Sequence, residues 1–282
     1  MSTLLMPCVA RLVALVAPFV AGAPSAWEGP PPALGPTGQR AREAEPHVKA
    51  SLAPSILRTP DGRRFIDVQF AIEPGWHLYW RNPGDSGQPP RLDCTLPEGW
   101  SSGEPIFPVP NHLPEDEDIL AFEGSLRVLV PVNAPTSWAS GSVSAGVAAQ
   151  WMTCKEHCVV ERQSLRAELV EKEAPMPGGY PEAAPAALAA RLQGSGDDRV
   201  LVVDASALGG TARWFPDACA GVRFSSERML PMPGGRIEIP VRIREGDAPD
   251  RRPVVRGMVV IDSAGVVRAF DLAVPAAAPA AK

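Results

Sequence analysis

The chain has 282 residues, with 27 basic and 32 acidic side chains and a formal net charge of −5. With no basic stripe and no nucleic-acid motif, this balance argues against DNA or RNA as a partner. Mild acidity alone selects no other partner.

Residues 12–20 are mostly apolar and run into small residues at Ala21, Gly22, Ala23, Ser25 and Ala26. This is the layout of a signal peptide spanning residues 1–26, so export is expected. Later in the chain, no segment reaches the roughly 20 apolar residues that cross a bilayer. The mature chain is therefore expected to have no stable membrane insertion. Residues 27–45 are rich in Pro, Gly and Ala and read as a flexible lead-in.

Strand signals follow in order. Ile66, Val68, Phe70 and Ile72 alternate with more polar residues, as a half-buried strand requires, after a turn at Thr59–Gly62. Glu73–Gly75 closes that run. Leu126–Val132, Val143–Ala149 and Leu165–Leu169 show the same period of two. Short strands separated by turns predict a mostly β chain whose first domain, residues 46–171, is a β-sandwich. Residues 172–194 are rich in Pro and Gly at the start and read as a linker, with a short helix over Ala183–Leu192. Residues 195–274 predict a second, smaller β-rich domain. Its strands are Val200–Val203, Ile237–Ile243 and a hairpin of Val254–Ile261 with Val266–Phe270 around Asp262–Gly265. Residues 275–282 read as a disordered tail.

Of the five cysteines, Cys8 would leave with the signal peptide, and Cys94, Cys154, Cys158 and Cys219 would remain. Cys154 and Cys158 stand four apart in WMTCKEHCVVE, residues 151–161, at a strand end and tight loop. An exported pair at this spacing points first to thiol–disulfide exchange, in which one thiolate attacks a partner disulfide and the second resolves the mixed disulfide. That chemistry needs no bound cofactor. Lys155 and protonated His157 favour a thiolate, whereas Glu156 opposes it.

Two other readings stay open. One is a static structural bridge. The other is a copper or zinc site built from Cys154, His157 and Cys158, completed by a distant group such as His77 or His112. His47 reads as peripheral, and Cys94 and Cys219 as small buried residues, with a bridge between them as a further option. Pro114–Asp118 reads as a solvated acidic run without a calcium-loop pattern. Trp76, Tyr79 and Trp80 fit the edge of a sandwich or a partner contact, and Trp151 fits either the core or a lid beside Cys154.

Three motifs in order resemble the N-terminal periplasmic region of the DsbD/ScsB family of thiol–disulfide interchange proteins. They are GWHLYWRNPGDSG at 75–87, LPEGW at 96–100 followed by FPVP at 107–110, and WMTCKEHC at 151–158. The close resemblance covers about residues 46–170, and a looser likeness to ScsB-like members runs from about 195 to 272. It implies an immunoglobulin-like domain in the periplasm that passes electrons between a membrane relay and thioredoxin-like proteins. Cys154 and Cys158 would be the redox pair, with His77, Tyr79, Trp80, Trp151 and Glu156 supporting it. Phe122, in the stretch 116–124, would belong to a cap over the cysteines. Copper enters only through the alternative reading and the link of ScsB-like proteins to copper stress. Full-length family members continue into a multi-span relay and a terminal thioredoxin-like domain. This sequence has no second Cys-x-x-Cys, so the expectation is a module served by a separate membrane electron relay, not a complete reductase.

Overall fold

The computed structural model describes residues 46–84, 86–114, 118–224, 231–244 and 253–276. The stretches expected to be signal peptide and lead-in, the middle of the acidic run and the final six residues lie outside the described residues.

Ten strands make the first sheet system: β1 (Val48–Arg58), β2 (Arg64–Ile72), β3 (His77–Gly84), β4 (Arg91–Thr95), β5 (Ser101–Ser102), β6 (Asn111–Pro114), β7 (Asp118–Glu123), β8 (Ser125–Asn133), β9 (Ser142–Cys154) and β10 (Cys158–Glu173). Their order is β5-β8-β2-β1-β10-β9-β3-β7-β6, with β4 also paired to β9. The sheet folds over on itself. Phe70 of β2 and Trp151 of β9 are not on neighbouring strands, yet their rings meet edge to face at 5.3 Å. Inward residues of β2 and β8, such as Val68 and Val128, share one core with Val143, Val147 and Trp151 of β9. Alternation puts every second residue of each strand on that inner face. The result is the expected mostly β, immunoglobulin-like sandwich.

β1 closes the fold by changing partners. It pairs with β2 along most of its length but joins β10 in parallel only over Ser55–Arg58.

Among the described residues nine further strands follow: β11 (Pro181–Glu182), β12 (Ala189–Gln193), β13 (Asp198–Asp204), β14 (Thr211–Pro216), β15 (Val222–Phe224), β16 (Met232–Pro233), β17 (Arg236–Ile243), β18 (Val254–Ser263) and β19 (Val266–Pro275). They form one sheet of order β11-β19-β18-β14-β16 and one of order β12-β13-β17-β15. Leu201, Val203, Ile237 and Ile239 from one sheet share a core with Trp214, Val259 and Phe270 from the other. The β18–β19 hairpin turns at Ala264 (φ 54°) and Gly265 (φ 82°). Two successive positive φ values are what a two-residue turn needs to match strand twist.

The helix expected over Ala183–Leu192 does not form. Ala189–Gln193 is strand β12, paired antiparallel to β13. Its Ala190 and Leu192 pack on the second core. Pairing with the β13 edge plus burial of alternate side chains outweighs the modest helix preference of alanine. The stretch read as a linker is also fastened. Tyr180 is buried against Phe65 and Leu129 and donates to the Arg127 carbonyl at 2.7 Å, and Pro181–Glu182 pairs with β19. At the other end Pro275 still belongs to β19, and Ala276 is buried with its N–H bonded to Pro253 O at 2.9 Å.

The sandwich meets the later sheets through the far half of β3. Trp80 packs on Phe215, and the Asn82 amide donates to Pro216 O at 2.7 Å. The Arg81 guanidinium lies over the Trp80 ring and between Asp217 (2.7 Å) and Asp271 (2.6 Å).

Candidate redox site

β9 and β10 are the two arms of one hairpin. Their register runs unbroken from Ser142↔Val170 to Cys154↔Cys158, which leaves Lys155, Glu156 and His157 as the tip. Directly opposed positions of an antiparallel pair bring side chains together. The two cysteines accordingly sit with Cα atoms 4.2 Å apart and are joined by a disulfide. The two cysteines nevertheless differ in setting. Cys154 is 5 % exposed, in a small cluster with Tyr79 and Ala121 and with Leu113, Ile119 and Met152 around it. Cys158 is exposed. The Tyr79 hydroxyl lies 3.8 Å from Cys158 Sγ and is placed to donate to it.

A ring stack supports the tip from below. His47 stacks on Trp76 at 3.7 Å, and the edge of His157 meets the same indole at 5.7 Å. His47 Nδ1 is 2.9 Å from Glu73 Oε2, which fixes that imidazole over Trp76. Lys155 lies over Gly75, close enough that a Cβ there would meet its terminal atoms at 3.2–3.3 Å. Thr153 donates to the His77 carbonyl at 2.9 Å, fastening β9 to β3 just before Cys154.

Glu161 and Gln163 hold the hairpin to β1 where direct pairing is missing. Glu161 accepts from His47 N (2.7 Å), Val48 N (3.2 Å) and Trp151 Nε1 (2.9 Å). Gln163 bonds both the N–H (3.0 Å) and the carbonyl (2.9 Å) of Ala50. The two side chains stand in for ladder bonds between strands that diverge, and Glu161 is 9 % exposed.

The structure gathers some of the expected residues and disperses others. Tyr79 and His77 flank the disulfide, His77 by pairing with Cys154 across strands and by meeting the Tyr79 ring edge-on at 5.1 Å. Glu156 is exposed at the tip. Trp151 is core, 2 % exposed, and is no lid. Trp80 is fully buried and faces the later sheets rather than the cysteines. Phe122 is not over the disulfide. It points into the sandwich core with Leu120, whereas Ile119 and Ala121, on the other face of β7, reach the Cys154 cluster. A strand's alternation moves the contact by one residue.

His47, read as peripheral, belongs to the stack beside the tip. His112 is on β6, paired with Leu120. Cys94 and Cys219 are free thiols and do not form a bridge. Burial pushes both thiol pKa values up. For the metal reading, the sulfurs of Cys154 and Cys158 are bonded to each other. Among the described residues, no group of three or more His, Cys, Asp or Glu is placed to hold an ion.

Glu161, Gln163 and the His47–Glu73 pair are additions that sequence reading missed. A signal existed for the first two. They continue the inward phase of Leu165, Ala167 and Leu169 back toward Cys158, and a carboxylate on an inward phase must meet donors.

The family model described as "Thiol:disulfide interchange protein DsbD, N-terminal" matches residues 46–169. That segment takes in the sandwich and the cysteine hairpin together, and it is similar to DsbD N-terminal domains. Among solved structures, the N-terminal periplasmic domain of ScsB from Proteus mirabilis is 17 % identical with a TM-score of 0.49, over 80 % of this chain and 92 % of that one. A marsupial T cell receptor is 10 % identical with a TM-score of 0.18, over 81 % and 97 %. The E. coli chaperone DraB is 10 % identical with a TM-score of 0.17, over 80 % and 95 %. A comparison with curated proteins gives no match. The architecture itself rests on the sheets described above.

Proposed function

We propose that the protein is a periplasmic thiol–disulfide interchange module that passes electrons between a membrane relay and thioredoxin-like partners through Cys154 and Cys158. The observation that carries this reading is the disulfide across the hairpin tip, with one cysteine exposed and one buried, inside a segment that matches the DsbD N-terminal family. Among the described residues no helix is long and apolar enough to cross a membrane, and the reading assigns the relay to a separate protein or segment.

The asymmetry sets the order of events. A donor thiolate attacks the exposed Cys158 Sγ, a bond forms between donor and Cys158, and the Cys154–Cys158 bond breaks with its electron pair on Cys154 Sγ. A second donor thiolate then attacks the donor sulfur of the mixed disulfide. Cys158 leaves as a thiolate, the donor is oxidised and this protein is a dithiol. In the second half-reaction Cys158 attacks an acceptor disulfide, and Cys154 closes on Cys158 to release the acceptor reduced. Tyr79 serves both halves by donating to the Cys158 thiolate. The buried Cys154 is protected from outside attack and acts only within the chain.

The test is trapping with a thioredoxin-like protein. Cys154→Ser should accumulate a mixed disulfide through Cys158, whereas Cys158→Ser should accumulate none. Unchanged partner reduction in either variant would rule out the mechanism. A pair that never opens to a thiol in the folded protein would leave a fixed structural bridge.

A further inference from the structure

We propose that the β13-β17-β15 sheet carries a second site, separate from the disulfide, that binds a small molecule through a phosphate or sulfate group. A cleft of about 450 Å³ is lined by Arg199, Arg223, Arg242 and Arg244, together with Asp198 and Phe224. The strand pattern builds it. β17 alternates strictly, with Ile239, Val241 and Ile243 buried in the second core and Pro240 and Arg242 exposed. Asp198 and Arg223 both stand opposite Arg242, one on each side. Arg244 follows in the same outward phase, with its backbone N–H bonded to Gly221 O at 2.8 Å.

This arrangement is unfavourable for an empty sheet face. Like charges directly opposed across strands destabilise the pair. Asp198 neutralises Arg242 at 2.8 Å, and Asp197 adds a more distant negative charge to the same group. Arg199 Nε donates to the Gly196 carbonyl at 2.8 Å. The Arg223 side chain reaches only the Val222 carbonyl, at 3.2 Å, and among the described residues neither Arg223 nor Arg244 meets a carboxylate. Among the described residues, Arg223 and Arg244 therefore bring their guanidiniums to the opening with no carboxylate against them, beside the Asp198–Arg242 pair.

Guanidinium forks match tetrahedral oxyanions in charge and in bidentate geometry, and they are less strongly hydrated than ammonium groups. Phe224 gives the cleft an apolar wall for the remainder of the ligand. No residue of the disulfide site lines it, so this proposal stands or falls apart from the exchange mechanism.

The probe is inorganic phosphate, titrated at constant ionic strength into isotopically labelled oxidised protein and followed by amide chemical shifts. Saturable shifts are expected at residues 221–224 and 241–244. The half-saturation concentration should rise at least tenfold in Arg223→Gln/Arg244→Gln and stay unchanged in Arg166→Gln, an exposed arginine of the sandwich. Both positions of the double variant are exposed, so folding should be retained, and an unchanged spectrum elsewhere checks this. Shifts that never saturate, that persist in the double variant, or that acetate produces equally well would overturn the site.

Discussion

Gly87 has a φ of +97°, and a Cβ there would run into the Tyr79 ring. Its lack of a side chain lets the loop after β3 close over that tyrosine, whose hydroxyl meets Cys158. Gly87→Ala should lower stability by about 1–3 kcal/mol, from positive-φ strain plus overpacking. It should also shift Tyr79, which chemical denaturation and the tyrosine ring signals would report. Tyr79→Phe keeps the packing and removes the donor. In the reduced protein it should raise the pH at which Cys158 becomes alkylated and slow alkylation several-fold at neutral pH, since a hydrogen bond of about 1 kcal/mol is lost from the thiolate. An unchanged pH–rate profile would remove Tyr79 from the mechanism. The free thiols behave oppositely. Burial raises the pKa of Cys94 and of Cys219, so the thiolate fraction of each is small at neutral pH and grows as pH rises. Both should be modified slowly in the folded protein, behind Cys158, and faster with increasing pH. Mass-resolved alkylation checks the order.

At the scale of elements, β10 shows how far the sequence could be read. Leu165, Ala167 and Leu169 mark the strand, and β2, β8, β9, β13 and β17 are equally plain because each carries either an apolar alternation or a continuous apolar run. β3, β6 and β7 were harder. β3 breaks its pairing with β7 between Tyr79 and Gly84, and its aromatics serve three different neighbours, so no simple period survives. Resemblance locates the stretch around Phe122 but not its face, and a one-residue shift reverses a strand's faces, so Phe122 turns to the core. Glu161 was legible only as a charge on an inward phase. Its three donors come from β9 and from the start of β1, which no local window can place. Glu161→Ala should cost about 3 kcal/mol, as buried N–H groups lose a charged acceptor. Glu161→Gln should cost less. Because the tie lies beyond the hairpin tip, both variants should still form the Cys154–Cys158 disulfide. Thermal unfolding and thiol counting separate the two effects.

Across the whole molecule, the disulfide and the later sheets hang on the same strand. Tyr79 touches Cys158, and two residues on, Arg81 is held between Asp217 and Asp271. Desolvation raises the Asp217 pKa, with a further push from Asp271 and an opposing pull from Arg81. A carboxyl whose folded pKa is raised binds its proton more tightly in the folded state. Its contribution to stability is fully present below the ordinary carboxylate pKa and is lost as pH rises through the raised value. Asp217→Asn should therefore flatten stability against pH on the acid side of neutrality while costing little near pH 7. Arg81→Met leaves two carboxylates facing each other and should cost several times more at pH 7, about 3 kcal/mol. Denaturation series across pH test both. The chain's mostly β character was legible throughout, but this junction was not. It depends on Arg81 meeting partners 136 and 190 positions away.

The central claim is that the Cys154–Cys158 bond opens and closes in the folded protein. The direct measurement is its reduction potential, by thiol trapping and intact mass of the purified protein equilibrated in glutathione redox buffers. The account predicts a reversible two-electron transition within the buffered range, abolished in Cys158→Ser, with Cys94 and Cys219 remaining thiols throughout. A pair that stays oxidised under strongly reducing conditions that preserve the fold would contradict it and make the bond a structural staple.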